Sequence, residues 1–152
     1  MGGVVKPLAF TVEGCPVPFQ RTGGSGRSRF MRPKSRAYRS HVHNVLMGAL
    51  LTADGAWLGP RTCLREDPAA TKAAARKCAC SWCSAEVSLT LHVVLPDRKT
   101  RDLSNLTKAL EDAFNGVAFR DDRQIAALHV TREVDPEAPR VEVSLAVLTS
   151  TP

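Results

Sequence analysis

The sequence predicts an α+β domain with a small mixed sheet and two main helices. Three observations carry that expectation. Short segments alternate apolar and polar residues near both ends of the chain, the period of a half-buried strand. Two longer segments repeat apolar residues at helical spacing. The resulting order is strand, helix, insert, strand, helix, strand, strand, which is an α+β succession. The 152 residues fit a single domain over 1–152, large enough for a real core.

The elements follow in order. Residues 9–14, "AFTVEG", read as a strand ending at a glycine. The prolines and glycines of "CPVPFQRTGGSGRSRFMRPK" (15–34) disfavour regular structure, so an exposed basic loop is expected. In 35–52, Tyr38, Val42, Val45, Leu46, Ala49 and Leu50 fall on one helical face, with Ser35 a candidate N-cap. Residues 53–84 change character, combining loop signals, an Ala-rich patch and four of the five cysteines, and read as an insert. Strand 86–95 alternates at Val87, Leu89, Leu91 and Val93, and Pro96 ends it. Leu103, Leu106, Leu110, Ala113, Phe114 and Val117 form an apolar stripe, with Asn105, Lys108, Glu111 and Asp112 off it. Asn115-Gly116 supplies a left-handed stop. Strands at 124–133 and 140–148 flank the turn "DPEAP" (135–139), so a hairpin is expected there.

Charge is uneven. Residues 1–50 hold eight Lys/Arg against one acid, whereas 101–152 hold six against nine, within a net +6. A basic arm attracts polyanions, and nucleic acid is the commonest one in the cytosol. No apolar run is long enough to span a bilayer, and no basic-then-apolar leader opens the chain. A cytoplasmic protein with reduced cysteines is the default expectation.

Two acidic positions flank the second helix, Asp102 before it and Asp121-Asp122 after it, with Lys108 between. Phosphodiester hydrolysis needs charge neutralised at the attacking and leaving oxygens. Mg²⁺ does this with oxygen ligands and retained waters, and a lysine stabilises developing charge. The helix is roughly 18 Å long, and an extended return over 116–120 covers roughly 17 Å. Asp121 and Asp122 can therefore fold back toward Asp102. The plainer reading keeps Asp102 or Ser104 as a helix cap and Asp121-Asp122 as a turn. Spacing alone leaves both open.

The stretch "RDLSNLTKALEDAFNGVAFRDDRQI" (101–125) resembles the signature of the RusA-type Holliday junction resolvases of bacteria and their phages. That signature starts a helix with D-x-D-N-x-x-K, ends it with D-A-x-N-G, and enters a strand through D-D-x-Q-[IV]. Asp102, Asn105, Lys108, Asp112, Asn115-Gly116, Asp121-Asp122 and Gln124-Ile125 meet it. "FTVEGCPVPFQR" resembles the family's opening strand and turn, and Tyr38 fits as well. The resemblance spans roughly 8–50 and 86–148 and excludes the insert.

It implies a homodimeric endonuclease that binds four-way DNA junctions and cuts two symmetric strands with Mg²⁺ or Mn²⁺. A two-fold dimer presents one site to each equivalent strand. Asp102 and Asp122 would be metal ligands, with Asp121 supporting, and Lys108 the catalytic lysine. Gln20, Arg21, Arg27, Arg29, Arg32 and Lys34 of the basic segment would hold DNA. Ser104 departs from the pattern, since the family's second aspartate belongs there. A serine brings no charge, so Asp121 or Asp112 would substitute, or the chain would be a weakly active or binding-only relative.

Cys63, Cys78, Cys80 and Cys83 lie within 21 residues. Four thiolates suit tetrahedral Zn²⁺, though the C-x-C portion is less standard. A zinc staple, free thiols and a redox disulfide all remain open readings. A small zinc-stabilised interaction module, its acids only caps and turns, is the rival from another class. The scattered histidines His41, His43, His92 and His129 read as structural rather than as ligands.

Overall fold

The computed structural model describes residues 7–19, 31–52, 85–99 and 101–148. Cys63, Cys78, Cys80, Cys83, Gln20, Arg21, Arg27 and Arg29 lie outside them, so the zinc and most basic-loop expectations do too. The elements are β1 (Leu8–Glu13), α1 (Pro33–Thr52), β2 (Glu86–Leu95), α2 (Leu103–Phe114), β3 (Ile125–Val134) and β4 (Arg140–Leu148). A 3-10 turn, Asp122–Gln124, leads into β3. This is the expected α+β fold, two helices with a mixed four-stranded sheet in the order β1-β4-β2-β3.

β2 and β3 run parallel and are joined through α2, while β4 is antiparallel to both β1 and β2. The apolar positions of β2 and β4 are buried because both strands are internal: Val87, Leu89, Leu91, Val93, Val141, Val143 and Leu145. The α1 stripe adds Tyr38, Val42 and Leu46, and the α2 stripe adds Leu106, Leu110, Ala113 and Phe114. Phe114 lies edge-on to Phe10 and Phe119, with ring centroids 6.0 and 6.4 Å away. No described helix is long and apolar enough to cross a membrane.

Two expectations are corrected. β3 and β4 do not form a hairpin. β4 inserts between β1 and β2, and β3 stays at the edge. The connection 135–139 therefore crosses the end of β2, about 10 Å for two strand spacings. The Asp135 amide donates to the Leu95 carbonyl, and the Gly14 amide to that of Pro139. Ser35 does not cap α1. The helix begins at Pro33, whose missing N–H costs nothing at the first helical position. Ser35 lies inside the first turn, where its buried hydroxyl has no hydrogen-bond partner. Tyr38 is buried too, and desolvation first, then Cys15, pushes its hydroxyl well above the usual range.

Candidate active site

Asp102 caps α2. Its Oδ1 accepts the Ser104 amide at 2.8 Å, and its Oδ2 accepts the Asn105 side-chain amide at 2.9 Å. Asn105 thus fixes the carboxylate that the helix start already orients. A carboxylate offers about four lone-pair sites, so capacity remains for a further ligand. Ser104 is not the cap but the donor to it, with its side chain exposed.

One further hydrogen bond joins the two ends of the chain here. The Phe19 amide donates to the Asn105 carbonyl at 2.9 Å. The proline-rich turn therefore docks on the first turn of α2, and the basic segment continues from that point.

Lys108 does not turn toward Asp102. Its Nζ lies 3.0 Å from Asp112 Oδ1 and 3.2 Å from Asp122 Oδ2. Asp112 is one turn further along α2. Asp122 arrives because the chain reverses sharply after the helix. Gly116 takes φ +78°, the left-handed stop expected from Asn115-Gly116. The Gly116 amide donates to the Phe119 carbonyl, and the Val117 and Ala118 amides to that of Phe114. Val117, Ala118 and Phe119 are buried, which pins the return run against the core. Asp122 thus comes back to the middle of α2, level with Lys108. Asp102 lies six residues earlier, about 9 Å along the axis, and no described contact joins it to Asp122.

Asp121 accepts the Arg123 amide on Oδ1 at 3.0 Å and caps the 3-10 turn. Gln124 completes the capping box. Its Oε1 accepts the Arg120 and Asp121 amides, and its Nε2 donates to the Ala85 carbonyl at 2.9 Å. The turn that presents Asp122 is thereby tied to the start of β2. Gln124→Ala is expected to cost about 1–3 kcal/mol, because backbone groups lose their partner. A lowered midpoint in urea unfolding, with an unchanged slope, is the check.

The electrostatics favour a permanently charged lysine. The Asp112 hydrogen bond chiefly, with Asp122 adding, raises Lys108 above its ordinary value against a smaller opposing desolvation. Burial raises the Glu111 carboxyl, aided by Asp122 and Asp112 and opposed by Lys108. An acid with a raised folded pKa loses its stabilising contribution as pH climbs through that value. Glu111→Gln should therefore leave stability unchanged well below pH 4 and raise Tm slightly at pH 7. Thermal melts at both pH values test this.

Among the described residues, no group of three His, Cys, Asp or Glu is placed to hold a metal. Mg²⁺ commonly takes one or two carboxylates, with waters and substrate phosphates completing its shell. The oxygens of Asp102 and Asp122 suit it in kind. Arg32 and Lys34 sit at the entry to α1. The histidines are structural as read. His92 bonds Thr131 and Glu133, and His41 Nε2 meets the Glu13 carbonyl.

A lysine clamped between two carboxylates, on a helix entered through a capped aspartate, marks this as a candidate hydrolytic site on an α+β scaffold. The family model for endodeoxyribonuclease RusA matches residues 13–146, most of the chain. The chain belongs to that family, one of Holliday junction endonucleases. No curated protein matches it.

Proposed function

We propose that the chain is a Mg²⁺- or Mn²⁺-dependent endodeoxyribonuclease that resolves four-way junctions by paired symmetric nicks, acting as a homodimer. The observation that carries this is the Lys108 ammonium held between Asp112 and Asp122 by the folded-back run 116–122. Asp102 and Asp122 would hold the divalent cation, which when bound supplies charge neutralisation at the scissile phosphate. Lys108, protonated well past neutral pH, acts as a fixed positive donor toward the phosphate and not as a base. Asp112 keeps it in place when Asp122 turns to other partners. Asp121 and Gln124 hold the turn rather than the reaction. The docking of Phe19 on Asn105 brings the basic segment, with Gln20 and Arg21, to the same helix start.

Ser104 motivates a second reading, a relative that binds junctions without cutting them. It is exposed in the first turn of α2 and adds no charge beside Asp102. A synthetic four-way junction separates the two. Paired nicks in Mg²⁺ support the nuclease. Tight binding with no nicks in Mg²⁺ or Mn²⁺ supports the binder. Equal affinity for junction and plain duplex contradicts both. Ser104→Asp is expected to cut faster than the native chain, by about tenfold for each 1.4 kcal/mol of added stabilisation. Single-turnover rates measure it.

The zinc proposal for Cys63, Cys78, Cys80 and Cys83 rests on spacing alone. Metal content of the purified protein, with and without Cys80→Ser and Cys83→Ser, decides it. No zinc, or zinc retained in the double variant, removes the proposal.

A further inference from the structure

The connection from β2 to α2 carries charge that the site above does not use. Asp97 is already committed there. It accepts the Lys99 amide at 3.0 Å and the Arg101 guanidinium at 2.9 and 3.3 Å. Arg98 and Lys99 are left exposed, and neither enters an ion pair among the described residues. Arg132, near the end of β3, is likewise exposed and outside those pairs. These three cations from two elements line one open depression of about 540 Å³, together with Leu95, Asp97, Glu133 and Val134. Its two acids are both occupied, Asp97 by Arg101 and Glu133 by His92 at 2.9 Å.

The position matters as much as the charge. Leu95 and Val134 are paired residues at the carboxyl ends of two parallel strands. Open sheets take up ligands in the crevice outside such ends. Lys99 precedes Asp102 by three residues. Along the chain, the two basic segments therefore meet the start of α2 on either side of Asp102, one through Phe19 at Asn105 and one through Arg98 and Lys99.

We propose that Arg98, Lys99 and Arg132 form a second phosphate-holding surface, which grips the DNA backbone beside the cleavage site. The proposal rests on the nuclease reading and adds a DNA contact outside the N-terminal basic segment. Exposed cations on long stems neutralise phosphates without reading bases, so the surface sets affinity and register rather than sequence preference.

The test is the salt dependence of junction binding by the full-length protein. Arg98→Gln, Lys99→Gln and Arg132→Gln are combined, and the dissociation constant is followed by fluorescence anisotropy across a salt series without divalent metal. Three lost phosphate contacts should lower the slope of log K against log salt by about 2–3. Affinity at low salt should fall by about tenfold or more, with kcat at saturating junction unchanged. Charges beyond a Debye length of about 10 Å are largely screened at 0.1 M, so a distant surface would not produce this slope change. The charge-conserving set Arg98→Lys, Lys99→Arg and Arg132→Lys should keep the native slope, and matched thermal melts establish that both variants fold. A native slope in the triple Gln variant overturns this surface alone. A native chain that binds neither junction nor duplex overturns the nuclease reading and this surface with it.

Discussion

Lys108→Ala is expected to lower junction cleavage by about 10²–10³-fold, the usual loss when one fixed donor to developing negative charge is removed. Junction affinity should change little, because one phosphate contact is a small part of a polyelectrolyte interface. The fold should survive as well. The Lys108 side chain is 45% exposed, and its partners Asp112 and Asp122 can return to water. The pH dependence follows from the sign of the shift. A lysine raised above its ordinary value of 10.5 keeps its stabilising contribution at all lower pH and loses it only above that value. Cleavage therefore should show no limb from Lys108 between pH 6 and pH 9. Single-turnover rates over that range, for the native chain and Lys108→Arg, measure this directly. A limb that appears only with the native lysine would make Lys108 a titrating base and contradict its assignment as a fixed charge.

Phe114→Ala should have the largest effect on stability. Phe114 is fully buried, and its ring meets Phe10 and Phe119 edge-on. Truncation of such a side chain costs about 3–5 kcal/mol, and lost aromatic pairs add about 0.5–1.5 kcal/mol each. Domains of ordinary stability hold only about 5–15 kcal/mol in total. A fall in Tm of 15 °C or more, or loss of the cooperative transition, is expected by calorimetry. The functional consequence is specific. Phe114 accepts the amides of Val117 and Ala118 on its carbonyl and packs the ring of Phe119, so it anchors the return run that carries Asp122 to Lys108. Temperatures at which Phe114→Ala stays folded should still show reduced cleavage. A variant that melts within 3 °C of the native chain would contradict the placement of this ring in the core.

The sequence was most informative where one periodicity decided the outcome. The α2 stripe, its glycine stop and the alternation in β2 and β4 reflect burial on one face, and a side chain records that directly. Edge position leaves no such mark. β3 carries Leu128 and Val130 at strand spacing, yet Leu128 is 48% exposed because β3 lies outside β2. The alternation of a hairpin and of a crossed connection look alike, so the partner of β4 was misread. Ser35 misled for a similar reason, since a good capping residue was read without weighing Pro33 two positions earlier. The site was legible as a set of residues and not as an arrangement. Asp102, Lys108, Asp112 and Asp122 stand in the ordered pattern, but the pairing of Lys108 with Asp122 depends on how far the chain 116–122 doubles back. Buried Val117, Ala118 and Phe119 set that distance. The cations at 98, 99 and 132 lie too far apart in the chain for any spacing rule to join them.

The central claim is that Lys108 and Asp122 together form the cutting centre of a junction endonuclease. Asp122→Asn on a strand-labelled synthetic four-way junction in Mg²⁺ tests it most directly, with binding measured on the same samples. The expected result is native junction affinity, preserved preference over duplex, and no paired nicks where the native chain makes them. Paired nicks by Asp122→Asn at the native rate would contradict the claim.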